Sequence, residues 1–298
     1  MYKNFDIRSI GISGTQSEVI ELALSYGFQG MSIDMVGFLR QVDEHGLPHA
    51  RRFIDSAQIK VGSFRLPVAW EQWQEDESAY KQGLAELPRI AEVAAAMGCT
   101  RCVTTVLPAS DERPYHENFE FHRKRIAQIA DQLKPHGIRL GLEFQAPAVE
   151  RQGRAFQFIH TLDALLHLAK SAAMSNVGVA VDLWQMHVAG AGVDELKTLR
   201  NDQIVAVYLS DIAEETDLET VDETARQLPG EGGAIDSAVA LAALAELGYD
   251  GPVTPRADRK SMQEQSRDAI VKLAGERLDE LWNAAGLGAK EQLSPASR

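Results

Sequence analysis

Eight short apolar runs, separated from one another by amphipathic helical patterns, constrain this chain more than any other feature. The runs are "RSIGIS" (8–13), "GMSIDM" (30–35), "KVGSFRL" (60–66), "RCVTTVL" (101–107), "IRLGLEF" (138–144), "VGVAVDLW" (177–184), "IVAVYLSD" (204–211) and "PVTPRA" (252–257). Runs of this length, bounded by turn residues, read as buried strands. Between them, "QSEVIELALSYG" sets Val19, Leu22, Ala23 and Tyr26 on one stripe and stops at Gly27, the pattern of a helix closed by glycine. "ESAYKQGLAELPRIAEVAAAMG" ends on Gly98 in the same way, with a kink expected at Pro88. "NFEFHRKRIAQIADQLKPHG" stops at Pro135 and Gly137. "TLDALLHLAKSAA", "GVDELKTLRN" and "IDSAVALAALAELG" follow, and a long last helix is expected from near Ser261. Strict alternation specifies parallel βα units, and eight such units close a TIM barrel. The competing open sheet would want a G-x-G-x-x-G loop after its first strand, which "GISGTQ" is not. The expected organisation is a single-domain α/β fold, a (β/α)8 TIM barrel over residues 1–285, with a polar C-terminal tail over 286–298.

Composition narrows the partners. Net charge is −13, from 43 acidic and 30 basic residues, with no clustered Lys/Arg stripe. Nucleic acid and anionic membrane both need a concentrated positive patch, so neither is expected. The start "MYKNFDIRSIGISGTQ" lacks a basic-then-apolar signal pattern, and no apolar run approaches the roughly 20 residues of a membrane helix. A cytoplasmic address is the default expectation. The only cysteines, Cys99 and Cys102, form "CTRC" at the entry to a strand. Strand alternation sends them to opposite faces, and no second pair of ligands accompanies them, so they read as structural.

In a barrel, chemistry sits at the C-terminal strand ends. Strand five ends in Glu143 within "LGLEF", and strand six in Asp182 within "VAVDLW". An acid in so apolar a run is costly unless paired or metal-bound. Two carboxylates on adjacent strand ends can begin a divalent-metal site, and a buried acid paired with a neighbouring arginine is the equal alternative. Strand seven carries Tyr208 and Ser210 on one face, and strand eight carries Arg256 with Asp258 on its face. No histidine stands at either end, and of eight histidines only His187 lies just past a strand, in "DLWQMHVAG". Trp70 and Trp73 of "LPVAWEQW", with Trp184 and Phe64, are candidate apolar walls for a ligand, helix–barrel packing being their ordinary alternative. Glu231 in "PGEG" is either a substrate-reaching loop residue or part of a solvated turn.

Longer segments resemble a known family. "ELALSYGFQGMSID", "LGLEFQAPAVER", "NVGVAVDLWQMHVAG", "IVAVYLSDI" and "LPGEGGAIDSAVALAALAELGYDGPVTPRAD" are together similar to the xylose-isomerase-like TIM barrels, the sugar (phosphate) isomerase/epimerase and inosose dehydratase group. The resemblance runs over nearly the whole chain. It implies a divalent metal (Mn, Mg, Co or Zn) held by a strand-five Glu, a strand-six Asp, a strand-seven His and a strand-eight Glu. It also implies proton transfer next to a carbonyl, a basic substrate-side residue at Arg151, and the dimers or tetramers common in such families, so a homo-oligomer is compatible. Here Glu143 and Asp182 match, but the His position is Tyr208 and the second Glu position is Arg256. A substrate-touching His three residues past the Asp is Gln185.

Charge makes the substitution coherent. Three anionic ligands around a dication leave about −1, as do two carboxylates with one guanidinium. Arg256 is therefore expected to replace the metal by pairing with Glu143 and Asp182, since an Arg beside a dication at low dielectric is strongly unfavourable. The expected function is sugar isomerase/epimerase-like, acting next to a carbonyl of a sugar or cyclitol without the metal. Glu143, Tyr208 and Arg256 are its candidate catalytic groups. Arg151, Gln185, His187, Trp70 and Glu231 are its candidate substrate contacts. Two alternatives stand beside it: an inactive sugar-binding paralogue, and a metal-dependent isomerase or dehydratase whose ligands are re-supplied by Asp258 or His187.

Overall fold

The computed structural model describes residues 1–70 and 77–288; Trp73 and most of the polar tail lie outside the described residues. Eight parallel strands close on themselves: β1 (Tyr2–Phe5), β2 (Gly30–Ile33), β3 (Lys60–Arg65), β4 (Arg101–Val106), β5 (Arg139–Phe144), β6 (Val177–Asp182), β7 (Ile204–Leu209) and β8 (Pro252–Pro255). Closure is made by β1, which pairs with β2 on one side and β8 on the other. A two-stranded antiparallel pair, Ala109–Ser110 with Phe156–Gln157, lies outside the barrel.

The surrounding helices are α1 (Gln16–Ser25), α2 (Met35–His45), α3 (Leu47–Ala57), α4 (Ser78–Ala96), α5 (Tyr115–Leu133), α6 (Leu162–Ser171), α7 (Leu183–Val188), α8 (Val193–Lys197), α9 (Ser237–Glu246) and α10 (Arg267–Ala284). Their starts follow local chemistry. Thr15 caps α1 through a reciprocal bond with Glu18, and Thr161, Asp236 and Ser266 cap α6, α9 and α10. None of the described helices is long and apolar enough to cross a membrane.

Three expectations need correction. The first strand is Tyr2–Phe5, not 8–13. Asp6 accepts the backbone N–H of Arg8 and starts a 3-10 turn over Ile7–Ile10, which Gly11 ends at φ 64°. Ile10 therefore belongs to a turn that a local cap takes out of the sheet, and Ile12 follows it outside any strand. The last helix starts at Arg267, because Ser266 caps it and Arg259–Met262 form a separate turn. The "GVDELKTLRN" pattern yields only the short α8.

Register decides which side chains face inward, because paired residues of parallel strands point the same way. Tyr208 pairs with Asp182 and with Thr254, and Glu143 pairs with Thr105. Val103, Ala180, Ala206 and Tyr208 form a separate cluster inside the barrel. Beside it, Asn4 Nδ2 donates to Ser32 Oγ and Thr254 Oγ1 at 3.0 and 2.9 Å. That approach requires Gly62, where a Cβ would sit 2.1 Å from Asn4 Oδ1. The interior is a packed core whose upper layer is polar, and this layer carries the site.

Candidate active site

Glu143 ends β5 and Asp182 ends β6, and both are buried. Asp182 also starts α7, accepting the backbone N–H of Trp184 at 2.9 Å and of Gln185 at 3.3 Å. Arg256 follows β8, its N–H donating to Leu209 O at 2.8 Å and so extending the ladder by one residue. Its Nη1 donates to Asp182 Oδ2 at 2.7 Å and to Glu143 Oε1. The guanidinium lies 3.7 Å over the Tyr208 ring, a cation–π contact with a desolvated cation.

A second arginine, which strand-end reasoning missed, completes the cluster. Arg226 lies just after a 3-10 turn (Glu223–Ala225) and is 2% exposed. Its Nη1 reaches both Asp182 oxygens at 2.9 and 3.0 Å and Ser210 Oγ at 2.9 Å. Its Nε donates to Glu223 Oε2 at 2.9 Å, and its guanidinium stacks 4.3 Å over Trp184. Ser210 in turn donates to the Arg256 carbonyl at 2.6 Å. The one signal in the sequence was a cation two residues before "LPGEG", in a segment that looks like solvated loop.

Burial opposes ionisation of Asp182, but the attraction of Arg226 and Arg256 outweighs it and holds the carboxyl below its usual range. Burial likewise opposes the charge on Arg256, and Glu143 and Asp182 overcome it, so the guanidinium stays charged. Tyr208 is pushed up by burial and remains a neutral phenol. Tyr208 sits in the interior cluster with the Arg256 guanidinium over its ring.

The donor set does not suit a divalent cation. Asp182 already accepts from two guanidiniums and two backbone amides, and Glu143 accepts from one of those guanidiniums. Among the described residues no group of three or more His, Cys, Asp or Glu could hold a metal ion. Two arginines carry the +2 that a dication would bring, with nitrogen donors where a metal needs lone pairs. Neither rescue ligand is in place. Asp258 caps the Arg259–Met262 turn through Lys260 N, and His187 lies in α7, lowered by burial and partly restored by Asp211.

Above the cluster lies a cavity of ≈ 200 Å³, lined by Asp6, Arg8, Ser9, Arg65, Glu223, Arg226, Arg256, Ala257 and Asp258. A larger cavity of ≈ 800 Å³ is formed by α6 residues and the starts of β6 and β7, at the opposite end of the strands from this cluster. The smaller one is at the catalytic end.

Several expected contacts are placed elsewhere. Gln185 is a brace: its Oε1 accepts Ala146 N–H at 2.7 Å and its Nε2 donates to Glu223 at 2.6 Å. Arg151 folds back onto the carbonyls of Ala146 and Pro147. Glu231 lies 4.0 Å from Arg277 and is not among the residues lining the cavity. Its loop is held by Asp211, which accepts the N–H groups of Gly232, Gly233 and Ile235 at 2.8–3.0 Å. Gly232 is required there, since a Cβ would meet Ile212 O at 2.1 Å. Phe64 pairs with Cys102 on the outer face of the sheet.

Trp70 is also a packing residue. Its indole donates to Thr104 Oγ1 at 2.7 Å and meets the His122 ring at 5.2 Å. Burial pushes the His122 imidazole down to about 4, with Asn118 O opposing and Arg125 and Arg113 assisting. The fold thus holds the neutral ring while the unfolded chain takes up a proton below its ordinary value of 6.5. Stability should fall as pH drops from 6.5 towards 4, by roughly 3 kcal/mol from this group. Urea titrations across that window should show the His122→Phe variant losing less than the wild type; equal slopes would rule the histidine out.

The comparisons with known proteins agree with this architecture. A family model described as a xylose isomerase-like TIM barrel matches residues 20–279. The inosose isomerase of Bacillus velezensis is 21% identical over 258 residues, covering 86% of this chain and 88% of that protein. A xylose isomerase domain protein from Alicyclobacillus acidocaldarius superposes with a TM-score of 0.86 at 24% identity, covering 96% of this chain and 99% of that one. An IolI protein with a bound zinc atom superposes at 0.79 with 18% identity, covering 97% and 100%.

Proposed function

The chain belongs to the xylose isomerase-like TIM barrel family, and from that premise we propose that it is an isomerase acting by proton transfer next to a carbonyl of a sugar or cyclitol, without a divalent metal. The observation that carries the reading is the buried cluster of Glu143 and Asp182 with Arg226 and Arg256 at the family's metal position. The kinship to inosose isomerase supports the class of reaction.

In this reading Glu143 is the base. It removes the proton from the hydroxyl-bearing carbon beside the carbonyl and returns it to the former carbonyl carbon on the same face, while the hydroxyl proton passes to the former carbonyl oxygen, so that the carbonyl shifts by one position. Arg256, turning its guanidinium off Glu143 and towards the cavity, donates N–H bonds to the oxygen on which negative charge develops. Arg226 stays on Asp182 and keeps that carboxylate neutralised while Arg256 moves. Epimerisation would need a second base on the opposite face, and β8 offers Arg256 there, so one-face isomerisation is favoured over epimerisation.

Deuterium exchange from D2O into ketoses, inososes and 3-keto sugars tests this in the presence of EDTA. Exchange that survives EDTA and falls at least ~10²-fold in Glu143→Gln is the expected result. A binding-only role is the second reading, favoured by the position of Arg256, which stands between Glu143 and the cavity. Tight sugar binding without any exchange would select it, and exchange abolished by EDTA would return the metal.

A further inference from the structure

The cavity above the cluster presents more N–H donors than its own acids use. Arg65 ends β3 and pairs in register with Val103 of the interior cluster, which aims it up the inside of the barrel. Its Nη2 donates to Thr105 Oγ1 at 2.8 Å, and among the described residues it has no ion-pair partner. Arg256 spends only Nη1 on Glu143 and Asp182, leaving Nε and Nη2 without a hydrogen bond among the described residues. Arg226 Nη2 is buried, 2.8 Å from Glu223 Oε2, and its geometry makes no hydrogen bond. All three guanidiniums line the same cavity.

The acids of the cavity are engaged. Asp6 bonds Arg8 N and lies 3.6 Å from the Arg8 guanidinium. Glu223 accepts from Gln185 and Arg226, and Asp258 accepts Lys260 N. Counted with Glu143 and Asp182, four arginines and five carboxylates leave a net of about −1, so bulk charge does not decide the ligand. What decides is that Arg65 and Arg256 keep guanidinium N–H groups at the cavity without a hydrogen bond among the described residues, whereas Asp6, Glu223 and Asp258 each already accept from a neighbour. Guanidiniums with free N–H pairs match a planar carboxylate in a fork, an orientation a neutral hydroxyl cannot fill.

Resting on the isomerase reading, we propose that the substrate carries a carboxylate: this site takes a compact sugar acid, its carboxylate received by Arg65 at the mouth and its reacting carbons set beside Arg256 and Glu143. The cavity volume of ≈ 200 Å³ favours a small ligand, since larger ligands occupy pockets above ~300 Å³.

Calorimetric titration of the intact protein with matched pairs tests this: D-glucuronate against D-glucose and D-galacturonate against D-galactose, with glucose 6-phosphate and inorganic phosphate as the other anion source. The uronates should bind at least ~10-fold more tightly than their parent sugars. Arg65→Met should bring that ratio close to one, and Arg65→Lys should keep part of it. The ratio within each variant removes any general loss of folded protein. Neutral sugars binding as tightly, an unchanged ratio in Arg65→Met, no binding by either uronate, or tighter binding of the phosphates would each overturn the proposal. Exchange on a neutral ketose without acid preference sinks this inference alone. Acid preference with no proton exchange sinks the isomerase reading alone.

Discussion

Arg226→Met should destabilise the protein by roughly 3 kcal/mol, the low end of the cost of breaking a buried ion pair, because Asp182 keeps Arg256 as a partner. The residue is 2% exposed and its main partner Asp182 is 1% exposed, so solvent cannot replace the lost bonds. Glu223 and Ser210 lose donors in the same step. Denaturant unfolding measures the loss. The double variant Asp182→Asn with Arg226→Met should recover part of it, because the stranded charge is removed. By contrast, Arg8→Ala at the exposed rim should cost less than about 1 kcal/mol. Acid should mimic the loss. The depressed carboxyl of Asp182 stabilises the fold above its ordinary value of 3.8, and that contribution disappears as pH falls through the folded-state value. A cost below about 1 kcal/mol for Arg226→Met would mean the cluster is looser than its geometry.

The second large effect is the gain of a metal. Protein purified with added manganese should carry no stoichiometric ion. Arg256→Glu with Tyr208→His restores the family's ligand types, but Arg226 still holds both Asp182 oxygens. That double variant should therefore bind weakly, and adding Arg226→Met should bring occupancy to about one ion per chain, with the ligands deprotonated and free. Elemental analysis reads the stoichiometry. A melting temperature that rises with manganese in the triple variant, and not in the wild type, reads the same site through linkage. A tightly held ion in the wild type would remove the basis for an arginine-for-metal exchange.

Much of the barrel is legible from local pattern. Seven of the eight strand runs overlap observed strands, because a buried parallel strand needs an uninterrupted apolar run and its helix needs a stripe. The exception is β1, where Asp6 caps a turn and "YKNF" alone forms the strand. A cap is one side chain acting on one N–H, and it leaves no periodic trace. Glu143, Asp182 and Arg256 were readable because strand ends converge by construction in a barrel.

What the sequence determined by itself is the barrel, its polar strand-end layer and the exchange of two ligand positions for Tyr208 and Arg256. The barrel and its strand-end layer follow from periodicity, and the exchange of ligand positions is what the family resemblance implies. Tertiary structure alone decided the rest. It brought Arg226 across 44 positions to Asp182, turned Gln185 and Arg151 into braces, and set Tyr208 under a guanidinium. Loops have no period, and where a long side chain lands depends on which buried charges remain to be neutralised. Asp182, desolvated at the end of its strand, selected both arginines.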